Sequence, residues 1–145
     1  MHNPVRFRMT TFVQGIALAV FLMTPVFGHH SFSAEYDATQ PVSLKNATVT
    51  KLEWTNPHTW VYVDFKNVNG EVEHWQCEGG APNRLAREGW SRETLKPGDI
   101  VTIDGYKAKN GMNWCNSQTI TLPDGKRVFA GSSGNGAPDS GQGKK

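Results

Sequence analysis

Residues 59–66 alternate cleanly, with Val61, Val63 and Phe65 on one face and Trp60, Tyr62 and Asp64 on the other. That period of two predicts a half-buried strand. The stretch before it, residues 42–54, is also β-prone, but its apolar parity changes part-way. Val42 and Leu44 share one face, whereas Ala47 and Val49 fall on the other. One inserted residue flips the pleat, so a bulge near Lys45-Asn46 is expected. Thr55-Asn56-Pro57-His58 reads as the turn between these two strands. Asn67-Val68-Asn69-Gly70 then turns the chain into a third strand over residues 71–78.

Gly79-Gly80 breaks that strand. The segment 81–88 has Pro82 at a helix start and Gly89 just past its end, the usual asymmetry of a short helix. Lys96-Pro97-Gly98-Asp99 turns into a fourth strand, 100–109, with Val101 and Ile103 facing one way. Asn110-Gly111 is a hairpin signal, and residues 112–122 form a fifth strand. A turn at 123–126 leads to a short segment, 127–130. The order β-β-β-α-β-β predicts a mostly β domain, a small five-stranded OB-like barrel with one short helix between strands 3 and 4. A small open sandwich or a five-stranded roll is the competing arrangement. In the barrel topology strands 3 and 5 are neighbours, which could bring Cys77 and Cys115 together as a disulfide. Strand phase alone does not fix whether they face the same side.

The ends of the chain follow different rules. Residues 1–8 carry Arg6 and Arg8 and no acid, residues 9–23 are mostly apolar, and Val26-Phe27-Gly28 places small or branched residues before His29. That order predicts a secretory signal peptide over residues 1–28, cut after Gly28. The apolar run is shorter than the roughly 20 residues of a membrane span, so no stable membrane insertion is expected after cleavage. The expected layout is signal 1–28, leader 29–41, barrel domain 42–130 and a disordered, Gly/Ser-rich tail 131–145. Periplasmic or secreted localisation follows.

Charge changes the picture once the signal is set aside. The whole chain has 15 Lys and Arg against 13 Asp and Glu, and both signal arginines leave with it. A near-neutral exported domain argues against nucleic acid, whose binding rests on phosphate neutralisation.

The candidate chemistry starts at the new N-terminus. Cleavage after Gly28 gives His29 a free α-amine beside its imidazole, with His30 next in line. Amine and imidazole nitrogens suit Cu(II), with Zn(II) and Ni(II) weaker alternatives. Cleavage after Phe27 would instead start the chain Gly28-His29-His30, also a copper-type donor set. A leader of about a dozen residues can span roughly 30–40 Å, so His58 in the first loop is a reachable third imidazole. A second constellation is aromatic: Trp60 and Tyr62, with Asn56, Pro57 and His74 nearby, could stack a ligand on the strand 2–3 face. Catalysis finds little support. Gly131-Ser132-Ser133-Gly134 is no strand-to-helix nucleophile elbow, and His74 and Cys77, three apart on one strand, point to opposite faces.

His29-His30-Ser31-Phe32, the run Trp54-Thr55-Asn56-Pro57-His58-Thr59-Trp60, residues 89–99, Leu122-Pro123-Asp124-Gly125 and Phe129-Ala130-Gly131 together resemble the DUF6152 family. The resemblance implies a small exported bacterial protein whose signal ends just before paired histidines. It implies no activity, because the family's function is unknown. Cys77 and Cys115 stand outside its pattern. The resulting expectation is a periplasmic binding module taking copper through His29, His30 and His58. The alternative is a metal-free module for a periplasmic ligand or protein using the strand 2 aromatics and the Asn-Pro-His loop.

Overall fold

The computed structural model describes residues 32–131. The expected signal peptide, the His29-His30 pair and nearly all of the expected tail lie outside the described residues. The chain forms α1 (Phe32–Glu35), β1 (Tyr36–Glu53), β2 (Trp60–Lys66), β3 (Val72–Glu78), α2 (Pro82–Arg87), β4 (Ile100–Ala108), β5 (Trp114–Thr121) and β6 (Arg127–Phe129). Its strands hydrogen-bond in the order β3-β2-β1-β4-β5-β6, and β3 also pairs with β5. Strands β1, β2, β3, β5 and β4 therefore close a ring. The β3–β5 seam is parallel and the other pairings are antiparallel.

The long first strand serves two neighbours, β4 mainly along its first half and β2 along its second. Its register with β4 slips between Leu44 and Ala47, and Asn46 adopts a left-handed φ of 56°. This is the bulge that the parity change predicts. With it in place, Leu44, Ala47 and Val49 all reach the interior, where they meet Val61, Val63, Trp75, Val101, Ile103 and Ile120. The helix α2 is too short to stand alone. It holds because Leu85 is buried with Trp90 and Leu95 in the same core.

Three differences from the sequence expectation stand out. The first strand begins at Tyr36, so residues 36–41 of the expected leader belong to the sheet. Tyr36 is drawn in by a separate outer cluster with Phe32 and Ala108, against which Tyr106 and Trp114 pack. The expected fifth strand loses its first two residues to the turn, and Gly111 there has a φ of 78°. Among the described residues there are six strands rather than five, because residues 127–129 pair with β5 through Thr119, Ile120 and Thr121. A three-residue strand is too short for an alternation to register. No helix among the described residues is long and apolar enough to cross a membrane.

Candidate functional site

The site forms where β2 begins and β3 ends. Thr59 is buried between them: its N–H and its hydroxyl both donate to the Gly80 carbonyl, at 3.1 and 3.0 Å. Its own carbonyl accepts from the Gly79 N–H at 2.8 Å. Only glycine permits this approach. A Cβ on Gly79 would lie 2.5 Å from the Thr59 hydroxyl, and one on Gly80 would lie 2.8 Å from the Gly131 carbonyl. The Gly79-Gly80 pair thus lets the His58–Trp60 segment close down on the end of β3.

That closure sets Glu78 against His58. The Glu78 carboxylate pairs with His58 Nδ1, and both side chains are largely withdrawn from water. The Glu78 backbone carbonyl accepts from the buried Ser117 hydroxyl at 2.8 Å. Glu78 stands directly opposite Trp60 on one side and Asn116 on the other. Paired residues of neighbouring strands share a face. Because Val61 and Cys77 point into the core, this row points outward. Continued in both directions, it reads Glu53, Trp60, Glu78, Asn116, Tyr106.

The outer row is largely covered. Trp60 meets Trp114 edge-on with ring centroids 6.0 Å apart, and Tyr106 meets Phe32 edge-on at 5.6 Å. Asn116 is buried, and its Oδ1 accepts from Gln118 Nε2 at 2.7 Å. The first turn of the described chain is pinned here, since Lys109 donates to the Glu35 carbonyl through its backbone N–H and to the Ser33 carbonyl through Nζ. Beside Tyr106 lies an open groove of about 380 Å³ lined by Pro41, Val42, Ser43, Asp104, Gly105 and Gln118.

Cys77 and Cys115 form a disulfide across the β3–β5 seam, directly behind this row, with Cα atoms 4.5 Å apart. Both are fully buried.

The sequence-predicted ligand-binding residues divide. His58 and Trp60 stand against Glu78, while Asn56 and Pro57 are exposed in the turn just before them, joined by a cis peptide bond. Tyr62 lies further along β2, where it is engaged internally. Its hydroxyl donates to Glu53 at 2.9 Å, Lys51 lies over its ring, and Lys51 also pairs with Glu53. Burial and the Glu53 hydrogen bond push the Tyr62 phenol above its ordinary value. The Lys51 and Tyr62 donors hold the Glu53 carboxyl below its own. His74 sits apart, exposed, with Nδ1 2.6 Å from Asp64. It stands four residues from Glu78 along β3, about 13 Å, so it does not belong to the same cluster. His29 and His30 lie outside the described residues. Among the described residues no group of three or more His, Cys, Asp or Glu is placed to hold a metal ion.

Sequence reasoning missed Glu78, Asn116, Trp114 and Tyr106. A carboxylate on a strand reads as solvated. The signal that could have marked Glu78 is its position immediately before a double glycine and opposite a Pro-His turn.

The sequence model of a family described as a family of unknown function, DUF6152, matches residues 18–116. The chain belongs to the DUF6152 family. The match starts inside the apolar N-terminal run, spans β1 to β4 and ends at Asn116 in β5. The Leu122-Pro123-Asp124-Gly125 and Phe129-Ala130-Gly131 motifs of this DUF6152 chain therefore lie beyond it. No curated protein and no solved structure matches the chain.

Proposed function

We propose that this DUF6152 protein is an exported periplasmic binding module, built on an OB-like barrel, that takes copper through the His29 amine and the imidazoles of His29, His30 and His58. The barrel reading is supported by the five-strand ring and by α2 lying between β3 and β4. One observation carries the site: Phe32, three residues after His29, is anchored on Tyr106, two strands away from the His58–Glu78 pair. Two strand spacings are about 10 Å, and three residues of chain span about as much. That spacing supports a mature N-terminus within reach of His58.

The test uses protein processed to begin at His29. Copper titration is expected to show one tight equivalent that disappears when the N-terminus is acetylated or His29 is replaced by alanine. Binding that survives both changes overturns the reading. The competing metal-free reading draws on the exposed Asn56-Pro57 turn beside the half-buried Trp60. It predicts that a sugar, peptide or protein changes tryptophan fluorescence without copper, and that Trp60→Ala abolishes the response.

A further inference from the structure

We propose that the groove beside Tyr106 is a second binding site, and that its ligand is a pyranose ring of a neutral oligosaccharide. The inference does not rest on the copper reading. Along the outer row Trp60, Glu78, Asn116, Tyr106, the groove lies three strands from Trp60, about 14 Å. It is a different surface from the one around Trp60.

Three observations carry it. The first is how the groove is made. The register of β4 with β5 slips between Asp104 and Gly105, which pair with Thr119 and Ser117, and Gln118 is the extra residue. A bulge of this kind re-aims a side chain. Gly105 keeps the floor bare: a Cβ there would lie 2.1 Å from the Asn116 carbonyl oxygen. The resulting volume of about 380 Å³ falls at the small end of the roughly 300–1,000 Å³ of small-molecule sites. All the lining residues lie within residues 32–131.

The second is an apolar platform. Pro41 and Tyr106 are register partners across β1 and β4 and stand side by side on the outer face. Tyr106 is half-buried and Pro41 is exposed. Phe32 meets the Tyr106 ring edge-on, with 85° between the planes. Whichever ring supplies the edge, at least one face of Tyr106 is left unstacked by this contact. A proline beside such a ring offers a flat surface to the C–H face of a sugar, whose hydrogens meet the negative face of the aromatic ring.

The third is a polar rim. Asp104 Oδ1 accepts from the Ser43 hydroxyl at 2.6 Å, and Oδ2 lies 3.8 Å from Arg127 Nη2. These contacts hold the carboxylate in place but use only part of its roughly four acceptor positions. Gln118 donates one N–H to Asn116 at 2.7 Å, which leaves its second N–H and its carbonyl oxygen as a donor and an acceptor. Neighbouring hydroxyls, each donor and acceptor at once, match this mixed set. Asp104 alone is charged among the lining residues, and Arg127 stands against it. The rim therefore favours a neutral ligand over an acid or a cation.

The test is a titration of protein beginning at His29 with cellotetraose, maltotetraose, mannotetraose and chitotetraose, followed by ¹H–¹⁵N NMR. Saturable shifts of the Gln118 side-chain amide and of the Gly105 and Tyr106 backbone amides are expected with at least one of them. Asp104→Asn should weaken that binding by about tenfold, as for a lost hydrogen bond to a charged group. Tyr106→Leu keeps apolar cover for Phe32 and should remove binding, whereas Tyr106→Phe should retain it. Trp60→Ala should change nothing. The wild-type shift map needs no variant, so it decides the matter even where a variant fails to fold. No saturable shift with any of the sugars overturns the proposal. So does tighter binding of tetragalacturonate, or a set of shifts centred on Trp60 and lost in Trp60→Ala. If the groove amides move with protein concentration and not with sugar, the occupant is a second copy. If they move with an extended Thr-Val-Thr-Val peptide and not with sugar, it is a peptide, and either result overturns the proposal.

Discussion

The β2–β3 pairing has a histidine–carboxylate pair near each end, and the two pairs differ chiefly in their surroundings. His74 and Asp64 face each other in register at the open end, with side chains 82% and 40% exposed. His58 and Glu78 close the other end, at 23% and 6%. Water screens the first pair and satisfies either partner alone. At the second, the Thr59–Gly80 closure, the Trp60–Trp114 contact and the buried Asn116 remove that option. Similar pairs thus lie open to water in one place and are covered in the other, and the difference lies in the glycines and aromatics around them.

The largest expected effect comes from breaking each pair on one side. His58→Ala leaves the Glu78 carboxylate buried without its partner and should cost about 3–5 kcal/mol. Asp64→Ala should cost no more than about 1 kcal/mol. Denaturant unfolding of the two variants, compared with wild type, measures the contrast directly. Equal costs would mean that burial does not separate the pairs.

The disulfide sharpens the same contrast. Cys77–Cys115 closes a 38-residue separation on the seam behind Glu78. Its replacement by two serines should cost about 2–4 kcal/mol. Hydrogen exchange should localise the loss: the amides of Gly79, Gly80 and Thr59 should exchange faster, while those of Asp64 and His74 change little. A uniform acceleration along β3 would show that the two ends are not independent.

How much of this was readable from residues alone follows from the range of the forces involved. The β1 bulge was legible because it follows from parity within one strand, Leu44 against Ala47. The outward face of Trp60 and Tyr62 was legible for the same reason. The Cys77–Cys115 disulfide was legible as a candidate, from the adjacency of strands 3 and 5; that the two side chains face each other was not, since it depends on the register of the parallel β3–β5 seam, which only ring closure sets. Glu78 was illegible for a related cause: alternation places it outward, and only the neighbouring strands and the Pro-His turn bury it. His74 was grouped with Trp60 and Tyr62 because strands 2 and 3 share that face, but the rise along the strand carries it to the far end, opposite Asp64. The short β6 strand left no period to detect.

A third polar pair lies between these extremes and gives the smallest effect. Tyr62 is partly covered and donates to Glu53. Burial is the larger cause of its raised phenol, and the hydrogen bond the smaller. In Glu53→Gln the ultraviolet titration midpoint of Tyr62 should fall towards the ordinary tyrosine value of about 10 without reaching it. A full return would mean that the carboxylate alone, rather than burial, raises it.

The most direct test of the central claim compares copper bound to protein beginning with a free His29 amine and to the same protein acetylated there. The account predicts one tight Cu(II) in the free form, with a nitrogen donor lost on His58→Ala, and no tight site in the acetylated form. Equal affinity and the same spectrum in both forms would contradict it.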